Sequence, residues 1–111
     1  MIGYLNKDKY NELLFSEMAP EIENLGFGCM NYTDSCTTFR ITLYDEIVFL
    51  LIDTYYRYKE RLLEIFDIRL MTSSGKMLFK DEAKLKNGNK FLQDDDVLKS
   101  FKHLITFLTE E

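Results

Sequence analysis

Residues 36–71 read "CTTFRITLYDEIVFLLIDTYYRYKERLLEIFDIRLM", and this run limits the fold more than any other part of the chain. Phe39, Ile41 and Leu43 alternate with Thr38, Arg40, Thr42 and Tyr44, the two-residue period of a half-buried strand. "EIVFLLIDTYY" is apolar on both faces in its first half, as a central strand is. In "RLLEIFDIRLM", Leu62, Phe66, Ile68 and Leu70 share a face, interrupted by Glu64. "RYKERLLEIF" contains helix formers, but the alternation of "EIFDIRL" after it favours strand. The connections are short: Asp45 and Glu46 in one place, Arg57 to Glu60 in the other. Strands joined this closely pair antiparallel with their chain neighbours.

A further strand, "FGCMNY", precedes this run, with Thr33, Asp34 and Ser35 as turn residues. Before it, Tyr10, Leu13, Leu14, Met18, Ile22 and Leu25 form one apolar stripe at three- and four-residue steps. Asn6 or Asp8 caps this helix, and Gly26 suits the left-handed position after its end. Pro20 lacks the N–H that would meet the Ser16 carbonyl, so the helix kinks or breaks there. At the other end, Val97, Leu98, Phe101, Leu104, Ile105 and Leu108 form a second stripe, with Lys99, Lys102 and His103 on the polar side. Between "TSSGK", a turn, and this helix, Phe79–Lys86 is expected as a short helix ended by Asn87 and Gly88.

The expected fold is therefore α+β, in two layers. A four-stranded antiparallel meander carries the N-terminal and C-terminal helices on one face, in the order α-β-β-β-β-(short α)-α. The chain of 111 residues is one domain over 1–111. The longest apolar run, Ile47–Ile52, is too short to span a bilayer, and the first residues lack the pattern of a signal peptide. A cytoplasmic location away from the membrane is expected. Cys29 and Cys36 then read as thiols, although a hairpin centred on Tyr32 and Thr33 would place them opposite each other.

Three tyrosines and three cations lie between Tyr55 and Arg61. Tyrosine stacking with cations on phosphate is one use of such a cluster, and a protein-binding hot spot is another. The plainest reading is a hairpin end with amphipathic tyrosines. The chain carries a net charge of −5, so phosphate binding starts at a disadvantage and nucleic acid is not the expected partner. The charge is uneven, with acidic ends and a middle close to neutral. Acidic ends attract basic proteins.

Asp94, Asp95 and Asp96 are explained by capping and by the dipole of the last helix, and lack the spaced ligands of a calcium loop. Reversing all three charges together is expected to slow association with a basic partner and leave folding largely intact. His103 is the single histidine and has no nucleophile or metal-ligand pattern around it. An enzyme would need His103 in a deep pocket with two carboxylates. The expectation is a non-enzymatic binding protein without cofactor or metal. Its expected partner-binding residues are Glu17 and Glu21 on the first helix, Tyr55, Tyr56, Arg57 and Tyr58 on the hairpin, and Asp94, Asp95 and Asp96 on the last helix. The alternative is an accessory domain that forms a homodimer through its sheet.

Leu25-Gly26-Phe27 after a helix, the alternating "TTFRIT" and the tyrosine-bearing hairpin "IDTYYRYKERLLEIF" give the chain a layout that resembles small bacterial immunity proteins of polymorphic or contact-dependent toxin systems. The resemblance implies a cytoplasmic, stoichiometric inhibitor that occludes a toxin domain. It carries no functional residue over to this chain.

Overall fold

The structure, a computed structural model, describes residues 3–110; Met1, Ile2 and Glu111 of the expected domain lie outside them. Helix α1 (Lys7–Leu13) runs through a π turn (Leu14–Met18) into α2 (Ala19–Asn24). Five strands follow: β1 (Gly28–Tyr32), β2 (Cys36–Leu43), β3 (Glu46–Arg57), β4 (Leu62–Thr72) and β5 (Met77–Glu82). Helix α3 (Asp94–Thr109) closes the chain. The strands form one sheet in sequence order, and every neighbouring pair is antiparallel.

The α+β class and the meander agree with the sequence reading, but the sheet has five strands rather than four. Residues 77–82, expected to be partly helical, form β5 instead. The Thr72–Lys76 turn brings "MLFKDE" against β4, whose free edge offers backbone partners that no isolated helix supplies. Tertiary pairing overrides the helix preference of Met77, Leu78, Lys80 and Glu82, which is weak over so short a segment.

One sheet face makes the core. Phe39 from β2, Leu50 and Ile52 from β3, and Phe66 and Ile68 from β4 are fully buried there. Both helices cover this face: Leu14, Met18 and Ile22 reach it from one side, and Val97, Phe101 and Leu104 from the other. The buried positions of β3 and β4 alternate, as the period of two requires. A bulge between Tyr55 and Tyr56 shifts the phase near the start of β4, so that Leu62 and Leu63 are both buried.

The π turn resolves the difficulty at Pro20. Tyr10, Leu14, Met18 and Ile22 recur at strict four-residue steps. In a regular helix each such step rotates the stripe by about 40°, and three steps carry it off the sheet. The wider turn, in which the Ala19 N–H reaches back five residues to the Leu14 carbonyl, absorbs the surplus. Pro20 then occupies the first turn of α2, where a missing N–H is tolerated. The chain therefore stays helical from 7 to 24, widened at the proline instead of broken by it. Asn6 is the cap, accepting from the Lys9 N–H at 2.9 Å, and Gly26 takes a φ of +103° after the end.

Two connections differ in detail from expectation. The β2–β3 turn is Tyr44-Asp45, one residue earlier than Asp45-Glu46, because Leu43 pairs with Glu46. The β1–β2 register sets Tyr32 opposite Thr37 and Cys29 opposite Phe39. The two cysteines are therefore not opposed, and both are free thiols.

The segments before α1 and α3 meet at the start of β4. Leu5 N–H donates to the Leu92 carbonyl, Leu63 N–H to Leu5, and Leu92 N–H to Leu63. Leu5, Phe91 and Leu92 are buried as a result, although nothing in their local spacing marks them as core. No helix among the described residues is long and apolar enough to cross a membrane.

Candidate functional site

The tyrosine hairpin is largely paired with itself. Tyr56 turns inward, edge-on to Tyr10 with ring centroids 6.3 Å apart, and burial pushes its hydroxyl up to about 12. Tyr55 and Arg57 project to the opposite side, with the guanidinium 5.6 Å from the Tyr55 ring centre. Arg57 Nε lies 3.0 Å from both oxygens of Glu64, the residue that interrupts the apolar face of β4. Tyr58 takes a φ of +70° in the turn and meets Phe91 edge-on at 5.7 Å. Arg61 reaches Asp34 at 3.5 Å, where Lys7 also binds at 2.9 Å; the Lys7 hydrogen bond foremost holds the Asp34 carboxyl below its usual value. Of the three cations in the cluster, only Lys59 has no ion pair among the described residues. The sequence cluster is thus distributed over three surfaces.

The acidic triplet is divided as well. The N-cap of α3 is Gln93, and Asp94, Asp95 and Asp96 fill the first turn. Asp96 is buried and accepts the Gln93 N–H at 2.8 Å, while the Gln93 side chain accepts from the Asp96 N–H. This reciprocal box bears out the capping reading at Asp96 and makes that residue part of the fold, so reversing all three charges does not leave folding intact. Asp95 is bound by Lys86, whose ammonium holds its carboxyl below the usual range. Asp94 is exposed and accepts from the Asp95 N–H at 2.8 Å.

His103 is exposed on the polar side of α3, as expected, and its Nδ1 lies 2.9 Å from Asp81 Oδ2 in β5. Ser100, one turn earlier on α3, donates to the same oxygen at 2.9 Å. These groups line a groove of about 470 Å³ between α3 and residues 81–86, together with Lys99 and Lys86. Burial pushes the Asp81 carboxyl up, but the hydrogen bonds from His103 and Ser100 outweigh it and leave it below the usual range. Ser100 is 2% exposed and bonds to the carboxylate instead of the imidazole. The trio is joined through its acid, without the nucleophile-to-base hydrogen bond of a catalytic relay. It fastens the last helix to the last strand. Among the described residues, no group of three His, Cys, Asp or Glu side chains is placed to hold a metal ion.

The acids of the first helix stand apart from all this. Glu17 and Glu21, with Glu12 and Glu23, are exposed, and none has an ion-pair partner among the described residues. Residues 8–24 hold five acids against one lysine, which is four of the chain's five net negative charges. Phe15, 49% exposed, lies among them and meets Tyr32 edge-on at 5.1 Å. Tyr55 and Arg57 are on the other side of the sheet, so the structure does not bring the helix acids and those hairpin residues into one patch.

Scans of the chain against models of protein families, against curated proteins and against solved structures each found no match.

Proposed function

We propose that this chain is a small, non-enzymatic, cytoplasmic protein-binding domain of the inhibitor or immunity type, which occludes a basic surface of a toxin or similar partner. The observation that carries this reading is the first helix. Among the described residues its four glutamates are exposed without ionic partners and stand together on one helix, whereas the other exposed acids without an ion pair, such as Asp45, Glu60 and Asp94, are scattered over separate turns and helix ends. An unpaired field of one sign steers an oppositely charged partner and loses strength as salt rises. Phe15 in the middle of that field provides an apolar anchor.

The test is co-expression with the product of the neighbouring gene, followed by size-exclusion chromatography with light scattering. A complex holding the two chains in equal numbers is expected. Reversal of Glu12, Glu17, Glu21 and Glu23 to lysine should slow association by at least about tenfold at low salt. A chain that elutes alone, or a complex indifferent to the four reversals, would overturn the reading.

A further inference from the structure

The helices cover one face of the sheet, and no element among the described residues covers the other. The strand register fixes what that open face presents. Asp53, Asp67 and Glu82 are direct cross-strand neighbours on β3, β4 and β5. Two residues along, Leu51, Arg69 and Lys80 are neighbours in the same way. Beyond the basic row lie Phe49 and Met71, and beyond the acidic row lie Tyr55 and Ile65. Along β4 the order is apolar, basic, acidic, apolar; on β3 Leu51 takes the place of the basic residue.

Several features of this face are unsatisfied in the single chain. Three carboxylates in one cross-strand row repel one another. Asp53 is relieved by Arg69 at 2.7 Å, but Asp67 Oδ1 and Arg69 Nε are buried without a hydrogen-bond partner. Tyr55 and Ile65 are 49% and 46% exposed. Arg40, Arg69 and Lys80 balance Asp53, Asp67 and Glu82, so the face is neutral on a molecule of charge −5. A second copy, repelled elsewhere, meets the least repulsion here.

The pattern is also self-complementary. A two-fold axis lying across the strands, between the basic and acidic rows, reverses the order along each strand and keeps the strands in column. Arg69 of one copy then stands over Asp67 of the other, and Lys80 over Glu82, while on β3 Leu51 stands over Asp53, which keeps its own ion pair with Arg69. Phe49 faces Tyr55, and Met71 faces Ile65. We propose that the open face of the sheet is a homodimer interface, in which a second copy of this chain packs sheet on sheet about that axis. Such a contact is isologous and closes at two copies. Four strands about 4.8 Å apart and about nine residues long span roughly 600 Å² of flat sheet on each copy, at the lower end of the standard size of a specific interface. The contact lies opposite the helices and is independent of the inhibitor reading.

Sedimentation velocity of the full chain over a range of concentration tests the proposal. A concentration-dependent dimer is expected. Lys80→Glu and Glu82→Lys, both on the exposed edge strand, should each weaken it by about tenfold or more. Mixing the two variants should restore dimer, because each then meets opposite charge at both symmetric contacts. Circular dichroism confirms that each variant retains the fold. A monomer up to millimolar concentration, a dimer indifferent to both substitutions, or a mixture that fails to recover would each overturn it.

Discussion

Asp81 on β5 and His103 on α3 are 22 residues apart in sequence and 2.9 Å apart in space. With Ser100 on the same carboxylate oxygen, they tie the edge strand to the closing helix. The Asp81 carboxyl is held below its ordinary value of 3.8 in the folded chain. A depressed carboxyl adds stability that is fully present above the unfolded value and is lost as pH falls through the folded one. His103→Ala should therefore flatten the fall in stability below about pH 4. At neutral pH it should cost no more than about 1 kcal/mol, since the pair is partly exposed. Urea melts of both proteins from pH 2 to pH 7 would show this, and identical acid limbs would count against the tether.

Asp96 and Asp94 are two residues apart on one helix turn but should respond very differently to alanine. Asp96→Ala removes the carboxylate that accepts the Gln93 N–H and should cost about 1–2 kcal/mol. That corresponds to roughly 4–10 °C in Tm for a domain of this size. Asp94→Ala should stay within about 0.5 kcal/mol. Equal thermal shifts for the two variants would mean that the capping box is not contributing.

The β2–β3 hairpin turns on Tyr44 and Asp45 with φ of +50° and +67°. Two consecutive left-handed residues define the tight hairpin turn that Asn-Gly adopts without strain. Tyr44 is fully exposed, so its ring contributes no packing. The double substitution Tyr44→Asn with Asp45→Gly should raise stability by about 1 kcal/mol. A lower Tm in a calorimetric scan would argue against this turn geometry.

The parts of the fold written in local period were legible beforehand. The stripe from Tyr10 to Ile22, the alternation around Phe39, and Asn6 and Gly26 at the ends of the first helical run all depend on near neighbours, whereas the all-apolar Ile47–Ile52 leaves open which residues face the core. β5 was not legible, because "MLFKDE" has no strong preference of its own and takes its conformation from β4. Leu5 and Leu92 were missed for a similar reason: each is held by backbone bonds to a segment far away in sequence. Asp96 carried a signal, since Gln93 and Asp96 have the spacing of a capping box, though with Gln and Asp in place of the more usual types. The Asp81–His103 contact carried none, because only strand pairing brings position 81 beneath position 103. The tyrosine cluster was conspicuous in sequence because its members are adjacent, yet a pleated strand and a tight turn send adjacent side chains in different directions.

The widened turn before Pro20 has a consequence for how this helix tolerates change in length. A regular helix that gains or loses one residue swings everything beyond the change by about 100°, exchanging its buried side for its wet one. A π turn is a helix already carrying such a residue, with the rotation absorbed on site. Leu14–Met18 is thus the place where this chain can lose a residue by closing to a regular turn, with Tyr10 and Leu13 before it and Ala19 and Ile22 beyond it keeping their buried side. The five residues act as an expansion joint, and the proline marks its far edge.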